Sequence, residues 1–389
     1  MKTRSFLTVP FAATLSRRGF GRMTMGAGAF LGASSLLPRI AQAAGTEIAF
    51  WGTGTLDIGN DWDRAAADAG LNVSFTDNGN DPGPVVARLV AGNANQVYDL
   101  SGLQGGAERE LYRQNASVAW DTSKIANWDT VWQWAKDIPY LTDDGAQIGI
   151  PCVVNADSII YRRDKLGDVD SYGVIFDPAM KGRVAMEDAW INSATFAAIY
   201  LKGAENAAIE EPGNLTEDEL GLVMEFLIKH KRDGQFRTFW NGWEQGVQLV
   251  ADEEVDAMTG WEPIVYEAQR RGLDVGYAEP VEGYLGWGNN LILHRGAVER
   301  GLSDAAHAFA NWIYDGFYAN KLVLLSGYVV PSDNTLDWAN ANPDETDPDT
   351  VAEIVEHVRQ KFAGKMFWQN TRPDNFQLYE EWWQRLRNT

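Results

Sequence analysis

Two extended apolar runs set the architecture open to this chain. Gln147–Tyr161 (QIGIPCVVNADSIIY) and Leu285–Leu293 (LGWGNNLIL) are both longer than the usual strand of about five or six residues. Each is long enough to cross from one lobe to another. Pro151 should break the regular ladder of the first run, because proline cannot donate to it. Shorter strands alternate with helical segments on either side of these runs. Before the first come strands at Glu47–Trp51, Leu71–Phe75 and from Tyr98, with helices at Trp62–Ala69, Pro84–Ala91 and Glu108–Gln114. Between the runs come strands at Arg183–Met186, Val255–Met258 and Leu273–Tyr277. The helices there are Ala194–Lys202, Glu217–His230, Glu244–Ala251 and Ile264–Arg271. After the second come helices at Asp304–Tyr314 and Asn320–Ser326, an acidic linker at 340–349, and helices at Val351–Phe362 and Asn375–Arg387. The alternation predicts an α/β protein with mostly parallel sheet covered on both faces. The expected division is 44–155 in a first lobe, 156–278 in a second, 279–335 returning to the first, and 336–389 as C-terminal helices. Two crossings make a hinge, and ligands sit between lobes in such folds.

The first 43 residues read as an export leader. Arg17-Arg18 precedes Phe20, a Gly- and Ala-rich apolar run covers Met23–Leu37, and Ala41-Gln42-Ala43 has the small-x-small pattern cut by a signal peptidase. The paired arginines point to the twin-arginine route. That run is too short to span a bilayer, which needs about 20 apolar residues. The expected product is a soluble periplasmic protein. The leader carries six basic residues and no acid, so its removal takes the net charge from −21 to −27. Nucleic acid is excluded as a partner, because phosphate binding needs a basic footprint. A cationic ligand is permitted.

Cys152 is the single cysteine, and the four histidines show no paired spacing. No disulfide framework, metal site or cofactor is expected. The chain carries 16 tryptophans, and several of them lie beside glycines, as at Trp51-Gly52, Gly260-Trp261 and Gly286-Trp287-Gly288. That setting suits a cleft wall better than a core, and an aromatic face attracts a cation.

Several segments share their order with one family. They are Tyr98-Asp99-Leu100, Asp177–Val184 (DPAMKGRV), Gly327–Pro331 (GYVVP), Phe367–Asn370 (FWQN) and Tyr379–Leu386 (YEEWWQRL). The chain resembles the extracytoplasmic solute-binding proteins of ABC transporters, in particular the spermidine/putrescine-binding group. The resemblance implies a two-lobe periplasmic-binding fold of the type II kind, hinge closure on a small-molecule amine, a monomer, and delivery to an inner-membrane ABC permease. It implies no catalytic residues. Trp51, Trp261, Trp287 and Tyr328 fall at its aromatic walls, Gln104 and Gln369 at polar contacts, and Asp188 at an acid that pairs with an ammonium. Three other family acids are replaced by Thr53, Ile191 and Asn289, so one principal positive charge on the ligand is expected, with Asp188 as its counter-ion. Asp157, Glu187 and Glu262 could stand in for the missing acids, Asp157 best placed on the first crossing run. Two other functions belong beside this one. A sugar could stack on the tryptophans, and the fold hosts a thiamine-degrading enzyme with a cysteine nucleophile, a role open to Cys152.

Overall fold

A computed structural model of the protein describes residues 45–79 and 81–389. The leader lies outside the described residues. Among those described, the strands in chain order are β1 Thr46–Gly52, β2 Leu71–Asp77, β3 Leu100–Gln104, β4 Ser117–Val118, β5 Thr142–Asp143, β6 Ala146–Gln147, β7 Ile150–Arg162, β8 Val184–Glu187, β9 Phe236–Trp240, β10 Ala257–Gly260, β11 Val275–Tyr277, β12 Tyr284–His294 and β13 Met366–Trp368. The main path through the sheet runs β2-β1-β3-β12-β7-β10-β8-β9. β1, β2 and β3 are parallel to one another, as are β10, β8 and β9. The two parallel groups are joined by β12 and β7, which run antiparallel to each other and to their outer neighbours β3 and β10.

These two central strands are the long apolar runs of the sequence. The partner of β7 changes along its length: Ile150–Asp157 face β12, and Ser158–Tyr161 face β10. The register slips between Asn289 and Asn290, where Pro151 sits opposite. The missing proline N–H is absorbed by that irregularity. One face of the β7–β12 pair has three zones. Val153, Leu291 and Leu293 belong to the core packed around β1. Ile159, Tyr161 and Leu285 belong to a second core, built with Val184, Met186 and the helices Trp190–Gly203 and Glu217–Arg232. Side chains alternate across a strand, so the same face between these cores carries Asn155, Asp157, Trp287 and Asn289. This polar band, with Trp287 of the first core beside it, is the floor of the junction between the two parallel strand groups.

The C-terminal helices separate. Pro348–Ala363 packs on the helices Phe317–Ser326 and Asn334–Ala341 beside the first core. Phe376–Arg387 packs on Glu217–Arg232 in the second. Between them β13 runs parallel to β12, so a third segment crosses the junction. The sequence reading missed β9, whose mixed pattern FRTFW carries Arg237 outward, and the helix Asn334–Ala341. No helix among the described residues is long and apolar enough to cross a membrane.

Candidate functional site

In each half the parallel strands point their carboxyl ends toward the junction, the usual ligand-binding edge of such sheets. Beyond β1 and β3 this edge supplies Thr53, Thr55 and Gln104. Beyond β8 and β10 it supplies Glu187, Trp261 and Glu262.

Asp157 lies at the end of the floor nearest the second core, 3% exposed. Its Oδ1 accepts the Trp287 indole N–H at 2.9 Å. Burial pushes its carboxyl well above the ordinary range; the Trp287 bond offsets part of this, and the nearby Glu187 charge adds to it. Glu187 ends β8. Burial raises it to about 7, against hydrogen bonds from Asn192 and Trp261. Neither Asp157 nor Glu187 has an ion-pair partner among the described residues.

Glu262 is different. It opens the helix Glu262–Arg270 and pairs with Lys361 and His357 of the helix Pro348–Ala363. Burial opposes its ionisation, but Lys361 and His357 outweigh that and hold it at about 2. Lys361 Nζ also donates to Asn155 Oδ1 at 3.1 Å and sits 5.0 Å above the Tyr277 ring.

Tyr328 meets the Trp287 ring edge-on at 5.0 Å. Asp157, Glu262 and Glu187 all raise its phenol further, after burial. Trp261 is half-buried and packs edge-on against Trp240 at 5.1 Å. Gln369 follows β13; its backbone N–H reaches Gly286 O at 2.8 Å, and its side-chain amide donates to Asn192 Oδ1. The Gln369 Oε1 is buried without a partner among the described residues. Asp157, Glu187, Trp261, Trp287, Tyr328 and Gln369 are therefore linked by direct contacts or by mutual electrostatic influence.

Thr53, Gln104 and Asn289 gather at the other end of the floor. Asn289 lies opposite Gln104 in the β12–β3 register. Its Nδ2 donates to Thr55 Oγ1 at 2.7 Å, and Thr55 Oγ1 lies 2.7 Å from Thr53 Oγ1. A side chain at Gly102 would collide with Leu56, so glycine is what allows the Thr53–Leu56 turn to close over β3.

Two expected site residues lie elsewhere. Asp188 takes the opposite face of its strand from Glu187 and is held there by the C-terminal helix. Val184, Met186 and Asp188 point toward the second core, while Ala185 and Glu187 point the other way. There Asp188 Oδ1 accepts from Trp383 Nε1 at 3.0 Å and Arg387 Nε at 2.9 Å, so this carboxylate is committed to the C-terminal helix. Trp51 is a core residue, 4% exposed, in a cluster with Val85, Val86, Leu89 and Leu103. It stacks on Tyr98 at 4.8 Å, with the Arg88 guanidinium 4.5 Å above it. Phe50 faces the first core, so alternation sends Trp51 to the other side of the sheet. A flanking glycine therefore did not mark a cleft wall at this position. Lys361, Asn192 and Thr55 were not visible as site residues; nothing local in the sequence distinguishes Lys361 from a solvated helix lysine.

Cys152 is fully buried, and burial pushes its thiol up to about 12, far from a nucleophile's range. No cluster of three or more metal-ligating side chains occurs among the described residues.

Solved structures share the fold. Spermidine/putrescine ABC transporter substrate-binding protein PotD of Streptococcus pneumoniae, in complex with calcium and HEPES, is 12% identical over 88% of this chain and 99% of its own, with a TM-score of 0.68. The lipoprotein Tp0655 (TpPotD) of Treponema pallidum is 13% identical over 88% and 100%, with a TM-score of 0.66. AgtB of A. tumefaciens R10, in complex with agropinic acid, is 17% identical over 88% and 99%, with a TM-score of 0.60. All have the two-lobe binding-protein fold. Residues 64–344 match the family model of bacterial extracellular solute-binding proteins. These are transport binding proteins and not enzymes, and the chain belongs to the bacterial extracellular solute-binding protein family.

Proposed function

We propose that this protein captures a small amine-bearing cation between its lobes and delivers it to an ABC permease. The observation that carries this reading is the pair Asp157 and Glu187. Both carboxyls are raised by burial, both lie at the junction, and neither forms an ion pair among the described residues, whereas Glu262 beside them is neutralised by Lys361, whose charge only partly offsets the burial of Asp157. A buried carboxylate without a counter-charge is costly. An ammonium entering here removes that cost and gains charge-assisted hydrogen bonds. Gln369 Oε1 offers a further acceptor. The faces of Trp287, Trp261 and Tyr328 supply the cation-attracting walls.

Closure brings the carboxyl ends of the two strand groups together about β7, β12 and the segment after β13. The ligand carries one or two positive charges, so putrescine binds better than spermidine. The protein acts as a monomer in the periplasm, exported by the twin-arginine route.

A thermal-shift screen of the refolded, ligand-free protein tests the reading. At about 100 times its dissociation constant, a ligand adds roughly 2.7 kcal/mol of stability. Small amines should raise the melting temperature and neutral sugars should not. A panel in which only sugars act would overturn the amine assignment.

A further inference from the structure

The floor has two chemically different ends. Along the β7–β12 pair, Asp157 lies opposite Leu285, Asn155 opposite Trp287, and Val153 opposite Asn289. Asp157 and Asn289 thus share one face with Trp287 between them, about 13 Å apart at the usual strand rise. The Asp157 end is acidic. The side chains hydrogen-bonded to one another at the Asn289 end are hydroxyls and amides: Asn289 Nδ2 is held by Thr55 Oγ1, which lies against Thr53 Oγ1; the nearby Asp77 carboxylate, beside Gly54, is exposed and accepts the Gly79 N–H.

Two acceptors at this end are left over. Asn289 is 4% exposed, and its Oδ1 has no partner among the described residues. Asn78 donates its Nδ2 to Trp51 O at 2.9 Å and Gly102 O at 3.1 Å. Its Oδ1 is buried and has no partner among the described residues either. Gly102 O also accepts the Thr53 N–H at 3.3 Å, so Asn78 joins the same cluster. The two carbonyl contacts fix the orientation of the Asn78 amide. A buried acceptor left unmade costs free energy, and two of them together mark a place that takes a donor. A second ammonium would bring a charge to a cluster whose own buried side chains include no carboxylate, which burial penalises. A ligand carboxylate would face two carbonyl oxygens.

We propose that Thr53, Thr55, Asn78 and Asn289 form a neutral subsite that takes a hydroxyl or amide N–H of the solute, so that the ligand is unsymmetrical, an amino alcohol or amino amide with its ammonium at Asp157 and Glu187. This rests on the amine reading above and adds the identity of the ligand's other end. It makes the site a discriminator: a symmetrical diamine satisfies one end and strands its second charge at the other.

Calorimetry on the exported protein, refolded free of co-purified solute, tests this with matched probes. Butylamine, 4-aminobutan-1-ol, putrescine and 4-aminobutanoate are titrated, together with their three- and five-carbon homologues. The amino alcohol of the best chain length should bind about tenfold more tightly than the alkylamine and the diamine of equal length, the effect of one or two well-made hydrogen bonds. Asn289→Asp should reverse the order, placing the diamine first, with the melting temperature as a check on folding. Equal affinity of amino alcohol and alkylamine at every length would overturn the subsite, and this result needs no variant. An unchanged ranking in a folded Asn289→Asp protein would overturn it as well. Loss of all amine binding alongside binding of a sugar is a separate outcome, which removes the amine reading itself and the subsite with it.

Discussion

The indole N–H of Trp287 donates to Asp157 Oδ1 at 2.9 Å, joining an aromatic wall to a buried carboxylate across adjacent strands. The bond holds the carboxyl in place without neutralising it. Asp157→Asn should therefore weaken amine binding by about 1.5–3 kcal/mol, roughly ten- to a hundredfold. The empty protein should melt no lower, because an uncompensated buried acid has been removed. Calorimetric titration and differential scanning calorimetry of the same sample check both halves.

Amine affinity should fall as the pH drops through about 7. Glu187 is raised to about 7 by burial, so below that pH it is increasingly protonated and offers no counter-charge. Asp157 shifts in the same direction. Binding near pH 6.5 should release protons, seen as a dependence of the binding enthalpy on the buffer. Glu187→Gln should flatten the pH profile above pH 6. A profile as steep in that variant as in the parent would reject Glu187 as the titrating group.

Lys361→Met should be strongly destabilising. Lys361 is 2% exposed and pairs with a nearly buried Glu262. Removing one partner of a buried pair costs about 3–5 kcal/mol, because the other charge is left uncompensated. A double change, Lys361→Met with Glu262→Gln, should recover part of the loss. Denaturant unfolding of the three proteins measures it.

Asp188→Asn should leave amine binding unchanged, since the Asp188 carboxylate is taken up by Trp383 and Arg387 of the C-terminal helix. Its partly exposed ion pair contributes about 0–1 kcal/mol. Loss of amine binding in a folded Asp188→Asn protein would return this residue to the site.

Trp51→Ala should destabilise the protein by about 3–5 kcal/mol as a core truncation. Trp287→Ala should chiefly weaken binding. Melting temperatures and titrations of the two variants separate the roles.

The architecture was legible because it rests on local patterns. Alternating strands and helices, and two apolar runs too long for single-lobe strands, could be read from residue order alone, and β7 and β12 are those runs. Asp157 could be picked out too, as an acid in the middle of a strand otherwise built to be buried. What no local pattern encodes is which face a residue takes beside a strand end, and what arrives from far along the chain to meet it. Glu187 and Asp188 are neighbours with the same charge. One faces the junction because β8 ends there, and the other is claimed by a helix some 200 positions later. Lys361 neutralises Glu262 from 99 positions away. Pairings over such separations depend on how the sheet and helices pack, so the choice among Asp157, Glu187, Asp188 and Glu262 belonged to the tertiary structure.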